Sequence, residues 1–318
     1  SNYGSERFFS QIGDLTKYNV IIFHSLVYNH AKLAAIIKSK LDIPIIWSPF
    51  GFEVYNMLPE FKKGLYLDET KKLVNKARHI KQSLQEIVDY FKAKKIRKAI
   101  SIVDYCAIAI DSEFELYKSK LNPNLKRFWF TYYPIDLICP PGNSNSDGQN
   151  ILIGNSAFPS NNHIEAFKLL STIDLQDREI ICPLSYGDKA ILKETLAVGE
   201  SLFGDQFKPL IDFMPIDEYH KLTGSCNVVI MNQYRQQAFG NVLSALWYGS
   251  KVYLRPTNTI YSYLKGKGVN IFNIDEDTSQ FTNDLKENEI EFNRSFIANE
   301  YNKNTIIART QELLSDFI

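Results

Sequence analysis

Short runs of branched and aromatic residues alternate along this chain with stretches whose apolar positions recur every three or four residues, the pattern of a parallel sheet covered by helices. In the first half the runs predict strands over residues 19–24, 43–48, 102–110 and 127–131. In the second half "ILIGNS" at 151–156, "EIICPLS" at 179–185, "KPLIDFM" at 208–214, "NVVIMN" at 227–232 and "KVYLR" at 251–255 read as strands. Helices are expected between them over 161–172, 187–199, 216–224 and 240–249. The two series are separated by "CPPGNSNSDGQN", 139–150, whose Pro, Gly, Asn and Ser have nothing to bury and mark a linker. The expected class is α/β with two Rossmann-like, doubly wound domains: residues 1–139, a linker over 140–150, a second domain over 151–300 and a C-terminal helix over 301–318. With 318 residues, 45% of them hydrophobic, the chain has enough apolar material for two cores.

One stretch carries a second signal. Leu73, Ala77, Ile80, Leu84, Ile87 and Phe91 follow alternating steps of four and three, which predicts a long helix with one apolar stripe. Its other faces carry Lys71, Lys72, Lys76, Arg78, Lys81, Lys92, Lys94 and Lys95, followed by Arg97 and Lys98. A core-packed stripe under a solvated face is the plainer expectation. The sharper one is a basic face, 71–98, that meets an anionic membrane surface or a lipid diphosphate.

Charge changes the picture only when it is divided. The whole chain has 36 basic and 36 acidic residues, which argues against a nucleic-acid partner held by bulk electrostatics. Up to Gln149 there are 21 basic against 15 acidic residues, and after it 15 against 21, so the halves face different partners. The cysteines at 106, 139, 182 and 226 are far apart and have no Cys-x-x-Cys spacing, which points to reduced, structural thiols in a cytoplasmic protein and to no metal site. No apolar run approaches the roughly 20 residues of a membrane span, so the protein is expected to be soluble or at most peripheral on the inner membrane. The chain opens with Ser1 and its first convincing strand starts at Asn19, which suggests that an opening segment is missing.

The candidate chemistry lies at strand ends. In a parallel sheet, ligands bind outside the carboxyl ends of the strands, where helix N-termini present unpaired N–H groups. "NVVIMN" runs into "QYRQQAFGNV", where Arg235 offers a planar fork for phosphate and Gln236 and Gln237 add neutral donors. There Gly240 permits a close backbone approach and Asn241 is placed to cap the next helix. The first strand of the same series ends in "GNSAFPSNNH", 154–163, and the second in "CPLSYGD", with Ser185 and Tyr186. Phe213, Met214 and Tyr219 in "FMPIDEY" are candidates for packing a nucleobase. None of these loops is G-x-G-x-x-G or a P-loop, so a nucleotide sugar fits better than NAD or ATP.

At these residues the chain resembles the bacterial dTDP-N-acetylfucosamine:lipid II N-acetylfucosaminyltransferases, the 4-alpha-L-fucosyltransferase-like glycosyltransferase family 56. The stretches that carry the resemblance are "ILIGNSAFPSNNHIEA", "ICPLSYGD", "RQQAFGN" and "IIWSPFGFEVY". It implies a GT-B enzyme of surface-polysaccharide synthesis, such as that of enterobacterial common antigen or O-antigen. Two Rossmann-like domains would face each other across a cleft, with the donor on the C-terminal domain and the acceptor on the N-terminal one. It also implies donor contacts for Gly154, Asn155, Ser156, Tyr186, Arg235, Gln236, Gln237, Gly240 and Asn241. In "FGFEVY" the chain departs from the family's usual Trp-Gly-Ala-Asp-Leu-Tyr, with Phe50 for the Trp and Glu53 for the Asp.

Glycosyl transfer needs the leaving diphosphate stabilised and the acceptor hydroxyl deprotonated. Arg235 and the helix N-termini suit the first task. For the second, the strand-end candidates are Glu53, preferred as base, and His24. "IDED", 274–277, contains an Asp-x-Asp string but reads as a solvated loop, so metal-independent transfer is expected with no cofactor beyond the nucleotide-sugar donor. The alternatives from the same residues are a sugar-nucleotide epimerase and a non-catalytic sugar-nucleotide-binding scaffold of a polysaccharide complex.

Overall fold

The computed structural model describes residues 14–77, 82–139, 148–276, 281 and 283–318, with the backbone alone at 77 and 82–86. In chain order the first elements are β1 (Ile21–His24), α1 (Tyr28–Lys40), β2 (Ile45–Ser48), α2 (Phe52–Tyr55), α3 (Pro59–Lys62), α4 (Asp68–Ala77), α5 (Gln82–Ile100), β3 (Tyr105–Ala107), α6 (Asp111–Lys120), β4 (Lys126–Phe128) and α7 (Ile135–Ile138). Then follow β5 (Asn150–Ile153), α8 (His163–Leu170), β6 (Ile180–Pro183), α9 (Lys189–Phe203), β7 (Phe207–Leu210), α10 (Ile216–Gly224), β8 (Cys226–Met231), α11 (Phe239–Tyr248), β9 (Lys251–Leu254), α12 (Thr259–Gly266), β10 (Phe272–Asn273), α13 (Glu287–Glu300) and α14 (Lys303–Ser315). They form two compact units, one drawn from residues 1–63, 80–132 and 304–318, the other from 64–79 and 133–303.

The first unit holds a parallel sheet in the order β1-β2-β3-β4. Inner strand β2 is buried at every position, which is why "IIW" is an unbroken apolar run with no alternation. Strand β3 is shorter than its sequence suggests. Asp104, just before it, binds Lys38 Nζ at 2.9 Å and accepts the Ile45 amide at 2.8 Å, so a fixed carboxylate stands at the strand's start.

The second unit holds six parallel strands in the order β10-β9-β8-β5-β6-β7. Counted within the unit from β5, that is 3-2-1-4-5-6 read from the far edge, the order of dinucleotide-binding folds, and the connections change direction between β5 and β8. One face of the sheet carries a core in which Phe167 of α8 packs edge-on against Phe203 and Phe207, with centroids 5.7 and 5.5 Å apart. Burying each such ring contributes about 1.5–3 kcal/mol. Gly199 of α9 is required here, because a Cβ would stand 2.4 Å from the Phe207 ring.

The units divide the chain differently from the sequence expectation in three places. Residues 64–79 belong with the second unit: Asn162 accepts the Leu67 amide at 2.9 Å, and Glu165 accepts the Thr70 amide and hydroxyl at 2.9 and 2.7 Å. Residues 133–139 join it too, through the Ile135 amide on Tyr301 O at 2.7 Å. Nearly all of α14 returns to the first unit, where Leu313 packs beside Ile46 and Ala107. Most of the expected linker, 140–147, lies outside the described residues.

The expected long helix also changes. The structure has α4 in one unit and α5 in the other, and 78–81, with the expected stripe residue Ile80, lie outside the described residues. Leu73 packs on the second core, while Ile87 and Phe91 are 54% and 58% exposed. The buried face of α5 is Ala93, Ile96, Ala99 and Ile100. The stripe is therefore not one core-packed face.

Candidate functional site

The loops that leave the carboxyl ends of β5 and β8 meet at the switch point of the second sheet. Asn162 Nδ2 donates to Asn232 O at 3.0 Å, and Asn232 Nδ2 returns a bond to Asn162 O at 2.9 Å. Gln233 Nε2 donates to Asn161 Oδ1 at 2.7 Å. Gln237 accepts from Ser160 Oγ at 2.7 Å and donates to Asn155 Oδ1 at 2.8 Å; Asn155 Nδ2 in turn donates to Tyr186 Oη at 2.9 Å. Three strand-end loops are thus joined by side-chain amides, each of which keeps buried backbone groups or its neighbours satisfied.

Glycines make the approach possible. Gly187 has φ +134°, and a Cβ there would lie 2.6 Å from Ala157 C, so only glycine lets the β5 and β6 loops bridge. Gly154 has φ +68°, and its open side is filled by His163 Nε2 and Asn161. The His163 ring is buried, its Nε2 has no hydrogen-bond partner, and burial pushes its pKa down to about 4, so it is neutral at physiological pH.

Above this frame lies a cavity of about 250 Å³. Of the residues singled out in the sequence, Asn155, Ser185, Tyr186, Phe213, Met214, Tyr219 and Asn241 all line it. A smaller cavity of about 140 Å³ shares Ile216, Tyr219 and Asn241 with it and is bordered by Gly240. Asn241 Nδ2 donates to Tyr219 Oη at 3.0 Å, which leaves the phenolic proton and Asn241 Oδ1 side by side as a donor and an acceptor. Burial raises the Tyr219 pKa well above the usual tyrosine range, so the phenol keeps that proton.

Other candidates are held elsewhere. Ser156 is fully buried, with its hydroxyl accepting from Asn161 Nδ2 at 3.1 Å. Arg235 is 7% exposed, and its Nη1 donates to Gln236 O at 3.4 Å. Gln237 uses both ends of its amide to tie loops, so neither Gln236 nor Gln237 nor Arg235 lines the larger cavity. Asn241 is not the cap of α11. The N-cap is Ala238, in the left-handed region at φ 57°, with no side-chain cap and no acidic residue in the first turn. A Cβ on Gly240 would meet the Tyr133 ring at 3.3 Å, so that glycine makes room for an aromatic side chain. Phe213 is 93% exposed and forms rim, not floor. Pro183, in the "CPLSYGD" strand end, lines the cavity as well, whereas Asp212 and Leu210 line it without having been singled out; Asp212 sits next to Phe213, and strand-end position was its only signal.

In the first unit His24 and Glu53 come out differently. Glu53 is fully buried and accepts from Trp47 Nε1 at 3.1 Å and the Phe50 amide at 3.2 Å. Burial raises its pKa, opposed by its own amide, Trp47 and the Phe50 and Leu26 N–H groups. A carboxyl so enclosed does not meet an acceptor hydroxyl, which corrects the preference for Glu53 as base. His24, at the end of β1, is exposed and hydrogen-bonded through Nδ1 to Tyr132 Oη, and Tyr132 Oη donates to Ser48 Oγ at 2.8 Å. Ser48 lies within "IIWSPFGFEVY" but was not singled out there, and Tyr132 carries no motif that sequence reading would have flagged.

The whole chain is similar in fold to solved glycosyl-transferring proteins. It matches sucrose-phosphate synthase from Thermosynechococcus elongatus with a TM-score of 0.66 at 10% identity, covering 97% of this chain and 76% of that one. Anabaena HepE in complex with UDP and glucose gives 0.65 at 13% identity, covering 99% and 84%. A glycosyltransferase from Rickettsia africae gives 0.64 at 12%, covering 100% and 83%. The fold is therefore GT-B, built from two Rossmann-like units. Residues 74–314 match the family described as 4-alpha-L-fucosyltransferase, glycosyl transferase group 56. The chain belongs to that family and is a glycosyltransferase.

Proposed function

We propose that the protein moves a deoxyamino sugar of the N-acetylfucosamine kind from a dTDP- or UDP-sugar to a lipid-linked or other surface-glycan acceptor. It does so without a metal, at the cytoplasmic face of the inner membrane. The observation that carries the donor half is the gathering of Asn155, Ser185, Tyr186, Met214, Tyr219 and Asn241 around one cavity at the carboxyl edge of the second sheet. The Tyr219 O–H and Asn241 Oδ1 offer a donor beside an acceptor, which complements the carbonyl and N–H of a uracil or thymine imide. Anabaena HepE, of similar fold, is known with UDP-glucose. The N-terminal amides of α11, uncapped by any side chain, suit the diphosphate, with Arg235 in the same loop adding positive charge as the leaving group forms. His24 takes the acceptor's proton.

Titration calorimetry tests the donor half. UDP and dTDP bind, while CDP, GDP and ADP bind at least tenfold more weakly. Tyr219→Phe and Asn241→Ala each weaken the pyrimidine nucleotides by about three- to tenfold, as loss of one neutral hydrogen bond implies. Equal binding of all five nucleotides, or unchanged affinity in both variants, refutes this pocket assignment.

A further inference from the structure

His24 stands at the end of a hydrogen-bond chain that no feature of the sequence announces. Tyr132 follows β4, an edge strand, yet its phenol reaches His24 and Ser48, the paired last residues of β1 and β2 at the other side of the sheet. The segment after β4 therefore crosses the carboxyl ends of the strands. The Tyr132 ring is fixed there by Phe130 edge-on at 4.8 Å and by Phe50 and His24, each at 5.6 Å. Ser48 is buried, 2% exposed, whereas His24 is open to solvent.

The direction of these bonds decides the state of the imidazole. A phenol has one proton, and here it goes to Ser48 Oγ at 2.8 Å. The Tyr132 oxygen is then left to accept from His24 Nδ1, an arrangement that in a neutral imidazole puts the lone pair on Nε2. A neutral imidazole exposes a base only at the nitrogen that has no proton.

We propose that Tyr132, anchored on Ser48, is a positioning residue that holds His24 as the Nδ1–H tautomer and so presents Nε2 as proton acceptor at the carboxyl edge of the first sheet. This rests on the reading of His24 as the base. As the acceptor oxygen bonds to the anomeric carbon, its proton passes to Nε2, and the bond from that carbon to the diphosphate oxygen breaks with its electron pair leaving on the diphosphate. The resulting imidazolium is stabilised by the Tyr132 oxygen, which still accepts from Nδ1. Nothing is oxidised or reduced.

Histidine-15N NMR on the full chain tests the arrangement, with the His24 signals identified by their loss in His24→Gln. Wild-type His24 shows a protonated Nδ1 and an unprotonated Nε2. Tyr132→Phe keeps the ring packing, removes the oxygen and lets the other tautomer populate. Ser48→Ala frees the phenolic proton to turn toward His24, which moves the proton to Nε2. Both variants lower kcat by about tenfold to a hundredfold, with the donor KM within about twofold. An Nε2–H tautomer in the wild type, or the same tautomer and kcat in both variants, overturns the proposal. Full turnover by His24→Gln while Tyr132→Phe still shifts the tautomer retires His24 as base and leaves only the hydrogen-bond chain, so the two failures are told apart.

Discussion

A carboxyl group away from water holds its proton, and Glu53 is such a group. In the unfolded chain it ionises in the ordinary glutamate range, near pH ~4.3. Below that range both states are protonated and the native state keeps the full benefit of the neutral group. As pH rises above it, the unfolded chain releases its proton first, and stability falls until the native carboxyl also ionises. Glu53→Gln is neutral at every pH, so the urea midpoint of the wild type declines relative to that of the variant from about pH 4 upward, with a slope of up to about 1.4 kcal/mol per pH unit. Parallel profiles would mean that the group titrates alike in both states. The sequence showed Glu53 as a carboxylate at a strand end, standing where the resembling family has an Asp. Its enclosure comes from Trp47 and from the turn at Gly51, φ 86°, and neither is expressed in the spacing of residues.

At the scale of elements, the spacing of apolar residues located the helices but not the body each one packs on. The steps from Leu73 to Phe91 are regular, yet α4 turns its leucine into the second core while α5 buries a different face and leaves Ile87, Val88, Tyr90 and Phe91 in solvent. A periodic pattern marks one side of a helix; it does not say which neighbour covers it. On α5 the exposed apolar residues are followed by Lys94 and Lys98, while Arg97 pairs with Glu60 and Lys95 reaches Tyr28. No described helix is long and apolar enough to cross a membrane. For the proposed membrane-facing role, apolar side chains would enter the interface while lysines meet anionic headgroups, each cation worth about 1 kcal/mol. Co-sedimentation with vesicles rich in anionic lipid is therefore expected at low salt, weakened by 0.5 M salt. Ile87→Ser with Phe91→Ser should cut it at least tenfold and leave nucleotide affinity unchanged. Equal sedimentation of wild type and double variant would remove α5 from the membrane contact.

At the scale of the whole molecule, the alternation of strand and helix was legible from the sequence because parallel strands buried on both faces read as continuous apolar runs. Strand order was not, since crossovers leave no periodic mark, and it is the order around β5 and β8 that brings the 154–163 and 232–238 loops together. That convergence bears on the proposed chemistry as a whole. A departing nucleoside diphosphate needs positive charge, which a transferase supplies with a divalent cation or with its own groups. The only Asp-x-Asp string, 275–277, has Asp275 bound to Arg255 at 3.0 Å, while Asp277 lies outside the described residues. Among the described residues, no three His, Cys, Asp or Glu side chains gather closely enough to form a cation cage. In the proposed reading that charge comes instead from the N-terminal amides of α11, whose N-cap Ala238 supplies no side-chain cap, and from Arg235 in the loop before it, which carry the required sign. Turnover in excess EDTA should then match turnover with added magnesium or manganese within about twofold, while Arg235→Ala lowers kcat by about a hundredfold, as for loss of one preorganised charge-stabilising group. Activity that vanishes in EDTA and returns only with a divalent ion would move the charge stabilisation from these backbone and guanidinium groups to a metal.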